Sequence, residues 1–280
     1  MPVVPNAMLP ELLESQATGD IAAIYDEIRR FSGVPYVSSL QRYLATLPTV
    51  LESTWHALRP AMASGVIPET GWRLAADVRL RPATPVQRDT LPAWGIDEPS
   101  LATIRAIAEN FVRVSPVNLV FGACLHRLLT GETPSGTGYP EAWTPPAMLP
   151  PMPGNVDPDT LPQVQRAVLM RFATDVDGVP FIPALYRQLA HWPSLLAWLA
   201  DELVPRLHAP ETNAARKSFQ AAARAAAGKI VARLPATRSL DLGADTRQRV
   251  LAAIDRYAQT SPEMTMFGRI VQDALPFPAA

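Results

Sequence analysis

Cysteine is almost absent from this sequence: Cys124 is the single one in 280 residues. A lone thiol excludes a disulfide within the chain, a cysteine-based zinc site and a CxxC redox motif. No base is evident near it, so we interpret Cys124 as a small buried apolar residue. The four histidines have no metal-ligand spacing. We therefore expect neither a metal ion nor a cofactor.

Net charge and long apolar runs are also lacking. The formal charge is −1 and no lysine- or arginine-rich run occurs, so we expect no nucleic-acid partner. No stretch of about 18 uncharged apolar residues is found. Residues 1–16 lack the basic and apolar regions of a signal peptide. These absences predict a cytoplasmic protein with no membrane partner.

One block of sequence occurs twice. GVPYVSSLQRYLATLPTVLESTWHALRP begins at Gly33, and GVPFIPALYRQLAHWPSLLAWLADELVP begins at Gly178, which is 145 residues later. A second pair follows at an offset of 146, with SPVNLVFG at Ser115 and SPEMTMFG at Ser261. These matches predict a duplicated unit. We divide the chain into helical repeat 1 (1–131), a Pro/Gly-rich linker between the repeats (132–163) and helical repeat 2 (164–280).

Apolar spacing predicts helices along most of the chain. Ile21, Ile24, Ile28 and Phe31 recur at helical intervals, whereas few stretches alternate as strands do. The apolar share of 48% can supply a large core. We therefore predict an all-α fold.

The two Ser-Pro pairs suggest helix starts, because serine caps helices well and proline is tolerated in the first turn. Ser115 and Pro116 would begin a second long helix in repeat 1, and Ser261 and Pro262 would do so in repeat 2. A glycine occurs at the equivalent point of each predicted helix, although interior glycine costs about 1 kcal/mol relative to alanine. This indicates a close helix crossing near a pseudo-twofold axis.

Several polar residues allow two interpretations. Arg42 and Arg187 are equivalent in the repeat and lie off the apolar face, so they are either solvated or ion-paired, or they clamp a carboxylate. Ser115 either caps a helix or donates to an anionic ligand. Glu109 and Asp255 coincide under the 146-residue offset. They are either surface groups or a carboxylate pair.

The repeated blocks, the Ser-Pro segments and the phrases VPY, LATLP and LAHWP together resemble the group I, or DehI-type, α-haloacid dehalogenases. The resemblance spans most of the chain outside the linker. It implies that the two helical repeats form a pseudo-twofold pseudo-dimer with a pocket between them. It also implies that an aspartate activates water, which displaces halide from the α-carbon of a 2-haloacid with inversion and without a covalent ester.

The aspartate of the resemblance corresponds here to Leu185, preceded by Ala184 in place of a serine. Leucine cannot accept a proton, so another residue must be recruited or the chemistry is absent. Asp175 and Asp177, in the turn before the helix, are our candidate substitute bases, although turn aspartates commonly bond to backbone. The predicted substrate-binding residues are Tyr36, Ser39, Arg42, Ser115, Leu185, Arg187 and Tyr257.

Two functions therefore stay open. The first is a hydrolase of the 2-haloacid dehalogenase type that attacks a small organic acid with activated water. The second is a relative that does not dehalogenate and binds a small, partly apolar ligand or acts as a scaffold. In either case we expect a small organic acid as partner, with a homodimer as a further possibility.

Overall fold

The computed structural model describes residues 9–140, 143–176, 178–236 and 240–278. Helices dominate it, and two three-residue strands, β1 (Thr174–Val176) and β2 (Val179–Phe181), pair antiparallel as a hairpin. The predicted all-α fold class is confirmed. The helices are α1 (Gly19–Ser32), α2 (Ser39–Leu44), α3 (Val50–Ala63), α4 (Val66–Asp77), α5 (Glu98–Leu129), α6 (Gln163–Met170), α7 (Ala184–Leu189), α8 (Pro193–Leu207), α9 (Pro210–Arg233) and α10 (Ala244–Ala274).

Helix boundaries recur between the two parts of the chain. The ends of α2 and α7 differ by 145 residues at both termini, and α5 and α10 begin 146 residues apart. Each pair thus follows the offset of the sequence repeat that it contains. The pseudo-twofold relation of the repeats and their boundaries at 131 and 164 remain predictions.

The interpretation of the two Ser-Pro pairs as helix starts is wrong. Ser115 and Pro116 lie inside α5, and Ser261 and Pro262 lie inside α10. An interior proline deprives the carbonyl four residues earlier of its donor. In α10 that carbonyl belongs to Ala258, and the side-chain amide of Gln220 on α9 donates to it at 2.7 Å. The proline is tolerated because tertiary structure supplies the missing donor.

Helices α5 and α10 form the most extensive helix pair. At Gly268 of α10, a β-carbon would come within 3.1 Å of the Val112 side chain and 3.3 Å of the Ala108 carbonyl oxygen. Glycine is therefore needed for this close approach. At Gly122 the nearest atoms to such a carbon would lie at 3.5 and 3.8 Å, which is ordinary contact. The predicted close approach occurs at Gly268 alone of these two glycines.

Two apolar cores are built from segments of both repeats. The first joins α1–α4 to the second half of α5, to α9 and to the first half of α10. The second joins α6–α8 to the first half of α5, the preceding loop and the end of α10. Each core therefore depends on helices that lie far apart in sequence. Cys124 is buried in the first core, as predicted.

The linker is fastened to both repeats by hydrogen bonds. The guanidinium of Arg113 on α5 donates to the carbonyl of Ala147 at 2.9 Å, and the amide of Leu149 donates to the carbonyl of Gly33 at 3.1 Å. Further along, the amide of Val156 donates to the carbonyl of Arg187 at 3.2 Å. The linker consequently crosses the surface where the repeats meet. No helix in the described ranges is long and apolar enough to cross a membrane.

Candidate active site

A cavity of about 390 Å³ lies where α2, α5, α7, α10 and the linker meet, and we call it the main cavity. Its wall combines apolar side chains with neutral hydrogen-bonding groups. The apolar part includes Phe111, Met152, Phe181 and Met264. The polar part includes Tyr36, Ser39, Ser115, Asn118, Gln188 and Tyr257.

Most of the predicted substrate-binding residues meet at this cavity. Tyr36, Ser39, Arg42, Ser115 and Tyr257 all line it, although they come from three different helices and a loop. Arg42 was open to two interpretations, and it is both ion-paired and part of the wall. The fold therefore brings five of the seven predicted substrate-binding residues together at one cavity.

Leu185 occupies a different position from the one predicted. Its side chain is 0% exposed and belongs to the second apolar core rather than to the cavity wall. The residues of α7 that line the main cavity are Ala184 and Gln188, which lie one turn apart on the same face. A carboxylate at position 185 would be buried among leucines.

Asp175, the candidate substitute base that the structure describes, does not line the main cavity. The carboxylate of Asp175, at the β1–β2 hairpin, accepts the amide proton of Gly178 at 2.9 Å, and the residue is exposed. It therefore serves the turn, which was the alternative interpretation. Asp177 lies outside the described residues.

A second, smaller space of about 70 Å³ adjoins the main cavity, and we call it the side chamber. Ser39, Arg42, Ala184 and Tyr257 line both spaces. The side chamber also contains a carboxylate that the sequence did not indicate, that of Glu11 in the segment before α1. The junction between the two spaces is thus the meeting point of neutral and charged groups.

Glu11 and Arg42 form an ion pair at this junction. Their Oε2 and Nη2 atoms are 2.8 Å apart, and the Glu11 side chain is only 10% exposed. The same nitrogen of Arg42 donates to Ser39 Oγ at 3.2 Å. Burial raises the pKa of Tyr257, as does the negative charge of Glu11, while a hydrogen bond with Ser39 acts in the opposite direction. The four residues form one polar network.

Arg187 lies in the side chamber rather than on the main cavity. Its Nε donates to the carbonyl of Val156 in the linker at 3.0 Å. Burial lowers the pKa of its guanidinium. Arg256 is a third guanidinium in this chamber, 5.9 Å from the ring centroid of Phe181. The chamber therefore holds three cationic groups and one carboxylate.

Three polar atoms at these walls lack a hydrogen-bond partner within the described part of the protein. They are the hydroxyl of Tyr36, Nε of Arg42 and Oε1 of Gln188. Buried polar atoms are normally paired, so each is a position at which a ligand or water can bond. Burial also raises the pKa of Tyr36 and keeps its hydroxyl protonated as a donor.

The described wall of the main cavity lacks a carboxylate or imidazole that could accept a proton from water. Among the described residues that line it there is no aspartate, glutamate or histidine. Glu11 is the one carboxylate that the adjoining side chamber adds. No group of three or more histidine, cysteine, aspartate or glutamate residues suited to a metal ion occurs in the described ranges.

A larger cavity of about 490 Å³ lies beyond Leu40, Asn118 and Tyr257, which line both it and the main cavity. It contains His126 and Asp255, but of the predicted substrate-binding residues it includes Tyr257 alone. Glu109, the repeat equivalent of Asp255, is paired with Arg113 on the other side of α5. We therefore take the main cavity and its side chamber as the candidate site.

Such a helical fold with a partly polar internal cavity is typical of a protein that binds a small molecule. The chain is 25% identical over 240 residues to an (R)-2-haloacid dehalogenase of Pseudomonas putida, covering 79% of this chain and 76% of that protein. No protein-family model matches the sequence.

Solved structures of similar fold are also dehalogenases. A D-2-haloacid dehalogenase in complex with L-LA has a TM-score of 0.73 and 21% identity, covering 97% of this chain and 98% of that one. A mutant D-2-haloacid dehalogenase in complex with D-2-CPA also has a TM-score of 0.73, with 20% identity and 97% of each chain covered. Together the comparisons support a haloacid dehalogenase-type family for this chain, which confirms the resemblance found in the sequence. The assignment to group I remains a prediction.

Proposed function

We propose that this protein is a hydrolase of the 2-haloacid dehalogenase type that acts on an organic acid in the main cavity. The observation that carries the proposal is the convergence of Tyr36, Ser39, Ser115 and Tyr257 on one cavity. These residues were selected from the sequence, mostly through the family resemblance. Unpaired polar atoms on the same walls provide sites at which such an acid can bond.

In this reaction the oxygen of a water molecule bonds to the α-carbon, the carbon–halogen bond breaks, and halide leaves with the bonding electrons. A carboxylate must accept the water proton. Glu11 is the candidate that best fits this role, since it lies at the junction of the two spaces and is linked through Arg42 to Ser39.

A second function, binding of an organic acid without hydrolysis, is favoured by one specific observation. Among the described residues lining the main cavity itself there is no carboxylate or imidazole. Hydrolysis therefore requires Glu11 to act from the side chamber, whereas binding requires only the hydrogen-bonding groups and cations already described.

The two functions are distinguished by halide release. Purified protein is incubated with D- and L-2-chloropropionate, and chloride is measured against a buffer control. Release above the control with either isomer supports hydrolysis, and release with neither overturns it. A single turnover in ¹⁸O-water should place the label in the product and leave the protein unlabelled. Label in a carboxylate of the protein would show an ester intermediate and contradict direct attack by water.

A further inference from the structure

We propose that the ligand is a carboxylic acid with an apolar tail, whose carboxylate lies in the side chamber and whose tail fills the main cavity. This inference rests on the proposed function only in placing an acid at this site. It adds the orientation of the acid and the size of its substituent.

The side chamber fits the carboxylate. Among the described residues that line it are the guanidinium groups of Arg42, Arg187 and Arg256 and the carboxylate of Glu11, so this part of the lining carries a formal charge of +2. Glu11 engages one terminal nitrogen of Arg42, while Nε of Arg42 is buried and lacks a partner within the described residues. Guanidinium groups are suited to carboxylates because their N–H donors match the two oxygens. A volume of about 70 Å³ has room for a carboxylate and little more of a ligand.

The main cavity fits an apolar tail. Its volume of about 390 Å³ is several times that of the side chamber. The wall contains apolar side chains against which a hydrocarbon chain or an aromatic ring can pack, among them Phe111, Met152, Phe181 and Met264. An acid of two or three carbons would leave this wall largely uncovered. A longer alkyl chain or an aryl group would remove it from water, which is the main source of affinity for such ligands.

The junction fixes where the reacting carbon lies. Ser39, Ala184 and Tyr257 line both spaces, so the carbon next to a carboxylate held in the side chamber must pass between them. Glu11 lies on the side-chamber face of the same junction. This orientation thus places the α-carbon at the junction with the side chamber, which Glu11 lines.

Non-halogenated acids test the inference independently of hydrolysis. Isothermal titration calorimetry would compare propionate, hexanoate, phenylacetate and 1-hexanol. Three added methylene groups should make hexanoate bind on the order of 50-fold more tightly than propionate, and phenylacetate should also bind more tightly. 1-Hexanol, which has the tail without the carboxylate, should bind much more weakly than hexanoate. Equal affinity for propionate and hexanoate, or for hexanoate and 1-hexanol, would overturn the inference.

Two variants test the ends of the site separately. Arg187→Gln should weaken the binding of hexanoate and of propionate by about the same factor, on the order of 10-fold, because both acids carry the carboxylate that Arg187 contacts in this orientation. Arg249→Gln is the matched control, since Arg249 is exposed on α10, away from both spaces. Val114→Phe should reduce the preference for hexanoate by filling the main cavity, which Val114 lines. If this variant does not fold, the comparison of acids on the unaltered protein decides.

Failure of this inference is distinguishable from failure of the proposed function. Tail-dependent acid binding without chloride release would support the orientation and overturn hydrolysis. Chloride release from 2-chloropropionate without any tail preference would support hydrolysis and overturn the orientation.

Discussion

Helices α2 and α7 are equivalent in the sequence repeat, yet they give the cavity two different walls. On α2, Ser39 and the ion-paired Arg42 are polar wall residues, and Leu40 also faces the cavity. At the equivalent positions on α7, Ala184 contributes a methyl group and Leu185 is buried in the core. Helix α2 thus gives the cavity a guanidinium group and a hydroxyl, whereas α7 gives it a methyl group and the neutral amide of Gln188.

Residues beside these helices, and the partners of their arginines, also differ between the two walls. Tyr36, before α2, carries an unpaired hydroxyl, whereas its equivalent Phe181 has none. Arg42 is held by the carboxylate of Glu11, whereas its equivalent Arg187 is held by a linker carbonyl. Helices α2 and α7 thus have matching bounds in the repeated sequence, whereas the chemistry of the residues in and around them differs. The following predictions test this asymmetry, from the largest expected effect to the smallest.

The position of Leu185 in the core predicts a large effect on stability. Leu185→Asp would bury a carboxylate without a partner and should lower the free energy of unfolding by about 4 kcal/mol or more. Ala184→Asp is the matched control on the partly exposed cavity wall, and it should cost about 1 kcal/mol or less. Urea denaturation measures both. Similar losses in the two variants would place residue 185 on the wall instead.

The role of Glu11 predicts a large effect on catalysis. Glu11→Gln removes the proton acceptor and should lower chloride release by about 100-fold or more, provided that the unaltered protein hydrolyses a 2-haloacid. Asp20→Asn is the control, because Asp20 is exposed at the start of α1 and lines neither the main cavity nor the side chamber. Unchanged chloride release by Glu11→Gln would exclude Glu11 as the base.

The two arginines should differ in their contribution to stability. Arg42→Met leaves the buried carboxylate of Glu11 without its partner and should cost about 2–3 kcal/mol. Arg187→Met removes one hydrogen bond to a carbonyl and should cost about 1 kcal/mol. Thermal or urea denaturation gives both values. The double variant Glu11→Gln, Arg42→Met should recover part of the loss; an additive loss would show that the pair is not coupled.

Because of Glu263 on α10, the stability of the unaltered protein should depend on pH differently from that of a Glu263→Gln variant. Val117 is its apolar equivalent on α5, whereas Glu263 is buried and contacts Arg216 and the Tyr186 hydroxyl. Burial raises the pKa of Glu263 above its ordinary value of 4.5, although Arg216 and Tyr186 act in the opposite direction. The folded protein therefore binds this proton more tightly than the unfolded chain does.

Because folding raises the pKa of Glu263, the stability that the folded protein gains from binding this proton is complete below pH 4.5. It is lost as the pH rises through the pKa of Glu263 in the folded state. Relative to Glu263→Gln, the unaltered protein should lose stability over that range, by at most about 1.4 kcal/mol per pH unit. Urea denaturation between pH 4 and 8 measures both curves. Parallel curves would mean that the pKa of Glu263 is the same in the folded and unfolded states.

Local signals in the sequence predicted the helical fold class, whereas the predicted residues that line the main cavity were chosen mostly through the family resemblance. Helical spacing located α1, and the repeated block located α2 and α7. Ser115 lines the cavity, but it lies inside α5 and not at a helix start. In α10, the carbonyl freed by Pro262 is paired by Gln220, a tertiary contact that the local sequence does not indicate. A Ser-Pro pair looks the same in the sequence whether it begins a helix or lies inside one.

The remaining errors have similar physical causes. In the short helix α7, one residue of uncertainty turns a side chain by about 100°, which is enough to exchange the core position of Leu185 for the wall position of Ala184. The i, i+4 spacing of Ala184 and Gln188 could have indicated the wall face. Glu11 lies in a segment without periodicity, so its ion pair with Arg42 becomes visible only when the chain is folded.

The linker has a consequence for how such a site could have arisen. It contributes Met152 and Asn155 to the cavity wall and bonds to segments of both repeats. A symmetric homodimer of one repeat would carry two copies of each wall, so any substitution would appear on both sides at once. Fusion into one chain removes that constraint. In a single chain one wall can change while the other stays intact, and the connecting segment can itself form part of the cavity wall, as Met152 and Asn155 do here.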